Sequence, residues 1–160
     1  MSAQPAAREP AWLHGHAHEP NPAPPSVDAG FVLHAPDGQE FALTPDDLAR
    51  LPQTLVANCI ILSTGHPASG PFTFGGVHLA DLLAEYGVSG WAFADVVSGD
   101  GFGTRILAPE AESPASPILL ATACDGKPLS RTQGLVRLIV PAETGDALRQ
   151  VKWVARIEVH

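Results

Sequence analysis

The chain has 160 residues, of which 45% are hydrophobic and 16% are charged, a composition typical of one folded domain. Nine lysines and arginines against seventeen carboxylates give a net charge of −8, which disfavours binding to the phosphates of nucleic acids. The longest uncharged stretch, residues 51–80, is interrupted by Pro, Gly, Asn and His, so the sequence predicts no transmembrane segment. With two cysteines and no secretory leader over residues 1–10, we expect a reduced, cytoplasmic protein without a disulfide framework.

The positive charges are concentrated in the second half of the chain. Seven of the nine lysines and arginines lie beyond residue 100, and residues 105–160 contain six carboxylates, which gives this part a net charge of about +1. This part is therefore a candidate for binding a small anionic ligand. A solvated surface of uneven charge is the alternative interpretation.

The first 26 residues are typical of a disordered tail, and residues 27–160 form the predicted single domain. The tail contains six prolines and no apolar periodicity. It also contains alternating imidazoles at His14, His16 and His18, a pattern that can chelate a transition metal. Because a flexible tail fixes no ligand geometry, we expect such binding to be adventitious.

Beyond the tail, the first half of the domain predicts short strands and two helices. A hairpin is predicted around residues 36–38, and a helix begins after Thr44, a hydroxyl N-cap followed by proline and two carboxylates. An apolar run favours a buried strand over residues 54–62. The polar residues 63–71 are predicted to form a loop without helix or strand, and helical spacing then covers residues 77–86.

The second half of the domain predicts mainly strands. Asp-Gly pairs mark turns between apolar runs, and no glycine-rich nucleotide-binding motif is present. The fold class is therefore α+β, mainly β, with mixed short strands and a few short helices. The predicted strands of this half cover residues 91–98, 102–107, 118–123, 135–140 and 151–159.

Five local strings stand in an order that is typical of one known family. They are Leu43–Leu48 with Leu51-Pro52, the strand and loop ending in Gly65-His66-Pro67, Gly75–Leu83, Asp125–Leu129 with Gly134–Pro141, and Val151–Val159. In this order they resemble the molybdopterin-binding domain of the sulfite oxidase type, in a shortened form. The resemblance covers about residues 42–159 and implies the sulfite-oxidase-type molybdopterin-binding fold.

The resemblance implies a metal ligand in the segment after the central strand. In that family a cysteine thiolate binds molybdenum there, and the other sulfurs come from the pterin. The family's Cys-x-Gly-Asn string places Ser63 at the ligand position, with Gly65 and His66 following, whereas Cys59 lies four residues earlier in the apolar strand. Cys59 is thus either a small buried hydrophobe or the metal ligand, and a nucleophile–base pair of Cys59 with His66 is a third alternative.

The resemblance also implies a binding site for the pterin, which carries a phosphate. In that family a Val-Lys-Trp string near the C-terminus contacts the pterin, and Lys152 and Trp153 hold those positions here. Arg137 lies on an apolar strand, where its charge needs either a partner or a cavity. Arg137 therefore either contacts the cofactor or forms an internal ion pair with Asp100 or Glu158, and the sequence leaves both interpretations open. For Cys124 we expect an ordinary packing or surface thiol.

Two functional hypotheses follow from the resemblance. The first is a molybdopterin-dependent oxidoreductase or molybdopterin-binding protein, in which Cys59 is a candidate metal ligand and the cofactor contacts are Ser63, Gly65, His66, Arg137, Lys152 and Trp153. The second is a degenerate, non-catalytic member that acts as a small-anion-binding or protein-interaction module. Departures from the family pattern at Ser63, at residues 141–146 and at Gln150, together with the short chain, motivate the second hypothesis.

Overall fold

The structure, a computed structural model, describes residues 28–61, 69–99, 101–113, 117–141 and 151–160. These residues form two β-sheets with three short helices. Among them, no helix reaches the length and hydropathy needed to cross a bilayer. Several positions singled out in the sequence lie outside the described residues: the tail 1–26 with its histidines, Ser63, Gly65, His66 and Asp100.

The elements alternate between short strands and single-turn or two-turn helices. In chain order they are β1 (Phe31–His34), β2 (Glu40–Leu43), α1 (Pro45–Ala49), β3 (Thr54–Ile61), β4 (Ser69–His78), α2 (Leu79–Glu85), β5 (Phe93–Ser98), β6 (Gly103–Leu107), α3 (Ala108–Ala111), β7 (Leu119–Cys124), β8 (Lys127–Pro128), β9 (Arg137–Ile139) and β10 (Val154–Val159).

Sheet A contains the strands of both ends of the domain. Its order is β2-β1-β10-β5-β6, and β1 pairs with β10 in parallel while the other neighbours are antiparallel. The predicted hairpin is confirmed, because Phe31 lies opposite Leu43 across the turn. The helix after Thr44 is also confirmed, and the Thr44 backbone N–H donates to Asp47 Oδ2 at 2.8 Å.

Sheet B has the order β3-β4-β7-β8, and β9 also pairs with β7. Strand β4 is hydrogen-bonded to the turn after β7. The Thr73 N–H donates to Asp125 Oδ1 at 2.9 Å, and the Asp125 N–H donates to the Thr73 carbonyl at 2.8 Å. A Cβ on Gly76 would lie 2.0 Å from the Leu120 carbonyl oxygen, so glycine is required where β4 approaches β7.

The buried side chains form two clusters that lie on opposite faces of sheet B. In β7, Leu120 belongs to the large cluster between the sheets and helices, whereas Leu119 and Ala121 belong to the smaller one. This alternation follows from the two-residue period of a strand. We call the smaller set the sheet B cluster: Cys59, Phe74, Leu119, Ala121, Cys124, Leu129 and Ile139, with Val56 and Phe72 packed against it.

The main error of the sequence prediction concerns β4. Residues 69–71 of the predicted loop belong instead to a ten-residue strand, and the rest of that loop lies outside the described residues. The helix predicted from Val77 begins at Leu79. Pro71 and the Gly75-Gly76 pair are typical of loops, but pairing with strands on both sides outweighs their weak strand propensity. The sequence analysis did not predict α3 and β8. The strands predicted over residues 91–98, 135–140 and 151–159 are shorter in the structure, where they correspond to β5, β9 and β10.

Candidate anion-binding site

Arg137 is a buried cation without a charged partner among the described residues. It lies on β9 opposite Ala121, and only 7% of its surface is exposed. Within the described part of the chain its Nε has no hydrogen-bond partner, and its guanidinium carbon lies 5.7 Å from the centre of the Phe74 ring. The predicted alternative of a pair with Glu158 is wrong, because Glu158 lies on β10 in sheet A and accepts from Arg156 Nε at 3.2 Å. A buried donor of this kind indicates a place for an acceptor.

The segment of Lys152 and Trp153 is fastened to the segment that leads into β9. The Leu138 N–H donates to the Val151 carbonyl at 2.8 Å, and the Trp153 N–H donates to the Gly134 carbonyl at 2.9 Å. The Val154 N–H completes this series with a bond of 3.1 Å to the carbonyl of Val136. These backbone hydrogen bonds hold residues 134–138 in register with residues 151–154. They thereby place Lys152 near Arg137.

Lys152 packs closely on a glycine of this neighbouring segment. A Cβ on Gly134 would lie 3.0 Å from the Cβ of Lys152, and Gly134 has a positive φ of 116°. Both the backbone conformation and the close approach therefore require glycine at this position. The Lys152 ammonium lies 5.6 Å from the centre of the Trp153 ring, a cation–π distance.

Trp153 has a rare backbone conformation and a fixed side chain. Its φ is +49°, in the left-handed region that L-residues rarely adopt, and Leu135 across from it has a φ of +58°. The indole Nε1 donates to the Arg131 carbonyl at 2.6 Å, so its one polar atom is already satisfied. Trp153 can therefore offer a ligand its ring but no hydrogen bond. Strained residues of this kind cluster at ligand sites.

The charges of the site are desolvated. Burial lowers the pKa of Arg137 to about 10, and the neighbouring Cys124 opposes this change. Burial, and then the charge of Arg137, lower the pKa of Lys152. A buried and a half-buried cation that repel each other gain most from a bound anion, which pairs with both at once. The arrangement therefore suits an anionic group with several oxygens.

Two thiols lie on the same face of sheet B as Arg137. Cys59 and Cys124 lie on the strands that flank β4, opposite Phe72 and Phe74 respectively. Burial and then the nearby Cys124 raise the pKa of Cys59, and the Cys59 Sγ lies 3.7 Å from the Val56 carbonyl. Burial and Asp125 raise the pKa of Cys124, and Arg137 lowers it. Both groups are therefore neutral thiols at pH 7 in the absence of a metal.

The structure brings together some of the site residues predicted from sequence. Arg137, Lys152 and Trp153 meet at the junction of β9 with residues 151–154. Cys59 lies on the same sheet face, inside the sheet B cluster, and the structure describes no contact between it and Lys152.

Sequence reasoning missed the roles of Cys124, Phe74 and Gly134. Cys124 and Phe74 lie near the Arg137 guanidinium, and Gly134 leaves space for Lys152. The cross-strand pair Phe74–Cys124 is a long-range contact that a single sequence does not reveal. Gly134 carries a weak signal, since an isolated glycine before an apolar strand marks a close backbone approach.

Comparison with protein families gives a match over most of the chain. A family model described as "Oxidoreductase molybdopterin binding domain" matches residues 25–160. Mitochondrial sulfite oxidase of Rattus norvegicus is 29% identical over 177 aligned positions, which cover 92% of this chain and 32% of that protein. An inducible nitrate reductase of Glycine max is 34% identical over 143 positions, covering 80% of this chain and 16% of that protein.

Comparison with solved structures supports the same fold. The sulfane dehydrogenase SoxCD from Paracoccus pantotrophus superposes with a TM-score of 0.67 at 21% sequence identity, covering 82% of this chain and 38% of that one. The predicted sulfite-oxidase-type fold, mainly β with few short helices, is thereby confirmed. The chain spans about a third or less of the length of the curated relatives it matches here.

Proposed function

Because the chain belongs to the oxidoreductase molybdopterin-binding domain family, we propose that Arg137 and Lys152 bind the phosphate of a molybdopterin. The observation that carries this proposal is the Nε of Arg137, a buried donor without a partner among the described residues. The adjacent ammonium of Lys152 supplies a second cation, and Gly134 leaves the space that it occupies. These residues fit the anionic end of the cofactor.

The two cations have different tasks in this proposal. An arginine offers parallel N–H donors that match two oxygens of a phosphate, whereas a lysine acts as a compact point charge. Burial removes water from the Nε of Arg137, so a phosphate oxygen at this atom would replace hydration that the protein has already removed. The ring of Trp153 lies beside Lys152 and borders the same site. Its backbone bond to Gly134 fixes that position.

The metal end of the cofactor would be held by Cys59 or by Ser63. A bound molybdenum supplies oxygen-atom or electron transfer that no amino-acid side chain provides. Cys59 is a neutral thiol in the sheet B cluster, and coordination would have to remove its proton. Gly65 and His66 are proposed to border the cofactor next to Ser63. The residues at the phosphate end bind and orient the group, and the sheet B cluster keeps water from the thiol.

A second candidate function is a binding module that holds a small anion without molybdenum. The observation that favours it is the state of Cys59, whose raised pKa and apolar surroundings suit a packing residue. In this case Arg137 and Lys152 keep the same task, with a phosphate or another oxyanion as the ligand. The two candidates therefore differ in the metal and agree on the anion.

Metal and pterin content discriminate between these functions. The protein is purified from a host that makes the cofactor, molybdenum is measured by mass spectrometry, and pterin is measured by fluorescence after oxidation. We expect about one pterin per chain. Molybdenum at the same ratio, lost in Cys59→Ala or in Ser63→Ala, supports the oxidoreductase and identifies the ligand. Absence of both pterin and molybdenum would contradict the proposal that the protein binds molybdopterin. Anion binding without either of them would support the second candidate, the small-anion-binding module.

A further inference from the structure

Three potential metal ligands converge on the face of sheet A that points away from the core. The nearest ligand atoms of Asp95, Glu158 and His160 all lie within 4.8 Å of one another. Asp95 on β5 is directly opposite Glu158 on β10, and His160 follows Glu158 by two residues, so both point to the same face. Ala94 and Val96, on either side of Asp95, point into the core instead. This site and the anion-binding site thus lie on different sheets.

Asp95 is held in one orientation by Arg105. Its carboxylate accepts from Arg105 Nε at 2.8 Å and from a second guanidinium nitrogen at 3.0 Å, and only 3% of the residue is exposed. Two carboxylate oxygens offer about four lone-pair positions, so both bonds leave room for a further ligand. Outer hydrogen bonds of this kind orient carboxylates that bind metals. Arg105 is therefore suited to be the outer partner of a ligating Asp95.

His160 is positioned by Phe93 and its imidazole remains available. The two rings are stacked with centroids 4.9 Å apart, and the backbones exchange hydrogen bonds of 2.9 and 3.1 Å. Within the part of the chain that the structure describes, no group hydrogen-bonds to the imidazole. Because Phe93 and Asp95 are two residues apart on β5, a ring stacked on Phe93 lies next to the Asp95 carboxylate.

Glu158 is held only weakly by its present partner. Arg156 Nε lies 3.2 Å from Glu158 Oε1, and the side chains are 47% and 39% exposed. Exposed ion pairs of this kind contribute little to stability, so a divalent cation competes readily for the Glu158 carboxylate. Glu158 and His160 can therefore move toward a metal, while Asp95 stays fixed.

We propose that Asp95, Glu158 and His160 bind one divalent transition-metal ion of the zinc class. One imidazole and two carboxylates suit such an ion, and three protein ligands leave a position for water. With metal–ligand bonds of about 2.1 Å, tetrahedral ligands lie about 3.4 Å apart, so the ligand atoms need to approach one another by at most roughly 1.4 Å. Side-chain rotation of the exposed His160 and the half-exposed Glu158 supplies this movement.

The test is a calorimetric titration of the full chain with Zn²⁺. The tail histidines are first replaced, as His14→Ala, His16→Ala and His18→Ala, so that their chelation does not contribute. In this background we expect one Zn²⁺ per chain. His160→Gln and Glu158→Gln should each weaken binding about 10–100-fold. His78→Gln, a half-exposed histidine on sheet B, is the matched control and should leave the affinity unchanged.

Three results would overturn this metal site. They are no saturable binding of Zn²⁺ in the tail variant, equal affinities of the His160→Gln and His78→Gln proteins, and displacement of Zn²⁺ by an equal concentration of Ca²⁺. Thermal unfolding of each variant followed by circular dichroism verifies that the compared proteins are folded. The titration does not depend on the pterin, so its result tests the metal site independently of the proposed function.

Discussion

Burial lowers the pKa of Lys152, and the guanidinium of Arg137 lies close enough to the Lys152 ammonium to lower it further. Like charges are held together here by the backbone bonds between residues 134–138 and 151–154. Such an arrangement costs free energy in the unliganded protein, and a bound anion offsets that cost.

Anion binding should weaken at a lower pH than expected for a site that contains a lysine of ordinary pKa. The site needs Lys152 in its protonated form, and that form is lost as pH rises through a pKa below the usual lysine value. Calorimetric titration with inorganic phosphate from pH 7 to about pH 10 measures the effect. Lys152→Arg keeps its charge over this range and should extend binding to higher pH. An unchanged pH profile in Lys152→Arg would exclude Lys152 from the site.

Arg137→Met should stabilise the anion-free protein. The folded-state pKa of about 10 lies below the ordinary arginine value, so the unfolded chain holds its proton more tightly and the charged form disfavours folding at pH 7. Removing this charge should raise the free energy of unfolding by about 1–3 kcal/mol, measured by urea unfolding. The same change at the exposed Arg156 is the control, with an effect within about 0.5 kcal/mol.

The stability of Arg137→Met relative to the parent and to Arg156→Met can also contradict the prediction that the Arg137 charge destabilises the fold. If Arg137 has a purely structural role on Phe74, Arg137→Met should be less stable than the parent and than Arg156→Met. The free energy of unfolding of the parent at higher pH is a second test of the destabilising Arg137 charge. In the parent, stability attributable to Arg137 should rise as pH increases above 10, because the unfolded chain then binds more protons than the folded one.

Gly134→Ala should damage both stability and anion binding. The new Cβ would stand 3.0 Å from the Lys152 Cβ, at a backbone φ of +116° that alanine disfavours. Gly87→Ala is the matched control, because Gly87 also has a positive φ but open space around it. We expect a loss of about 1–2 kcal/mol from backbone strain at Gly87 and a larger loss at Gly134. Equal losses and intact phosphate binding in both variants would show that Lys152 does not depend on this contact.

The reactivity of Cys124 should depend on Arg137. Because Arg137 lowers the pKa of Cys124, Arg137→Met should move its alkylation by iodoacetamide to higher pH. Cys59, whose pKa is raised by burial and by Cys124, serves as an internal reference in the same sample. Peptide mass spectrometry across a pH series reports both thiols separately. Identical shifts of the two thiols would point to a general change in packing instead.

Local patterns were sufficient for much of the fold. The hairpin before Thr44, the helix after it and most strands are specified by turn residues, caps and apolar alternation along short stretches. Strand β4 was misjudged because its glycines and Pro71 are typical of loops. Its strand conformation depends on pairing with β3 and β7, which is a property of the folded chain.

The site was only partly predictable for the same reason. Arg137 stands out in sequence as a charge among apolar residues, and Lys152 and Trp153 came from the family resemblance. That Arg137 faces Cys124 and Phe74 follows from strand register, which sequence patterns do not reveal. The pairing of Arg137 is likewise undecided from sequence, since excluding Glu158 requires the sheet order, and Asp100 lies outside the described residues.

The most direct test of the central claim is the pterin content of the Arg137→Met protein purified from a cofactor-producing host. Pterin is measured as fluorescence after oxidation, per chain, beside the parent and the Arg156→Met control. We expect about one pterin per chain in the parent and the control, and loss of most of it in Arg137→Met. Equal pterin in all three proteins would contradict a role of Arg137 in holding the cofactor.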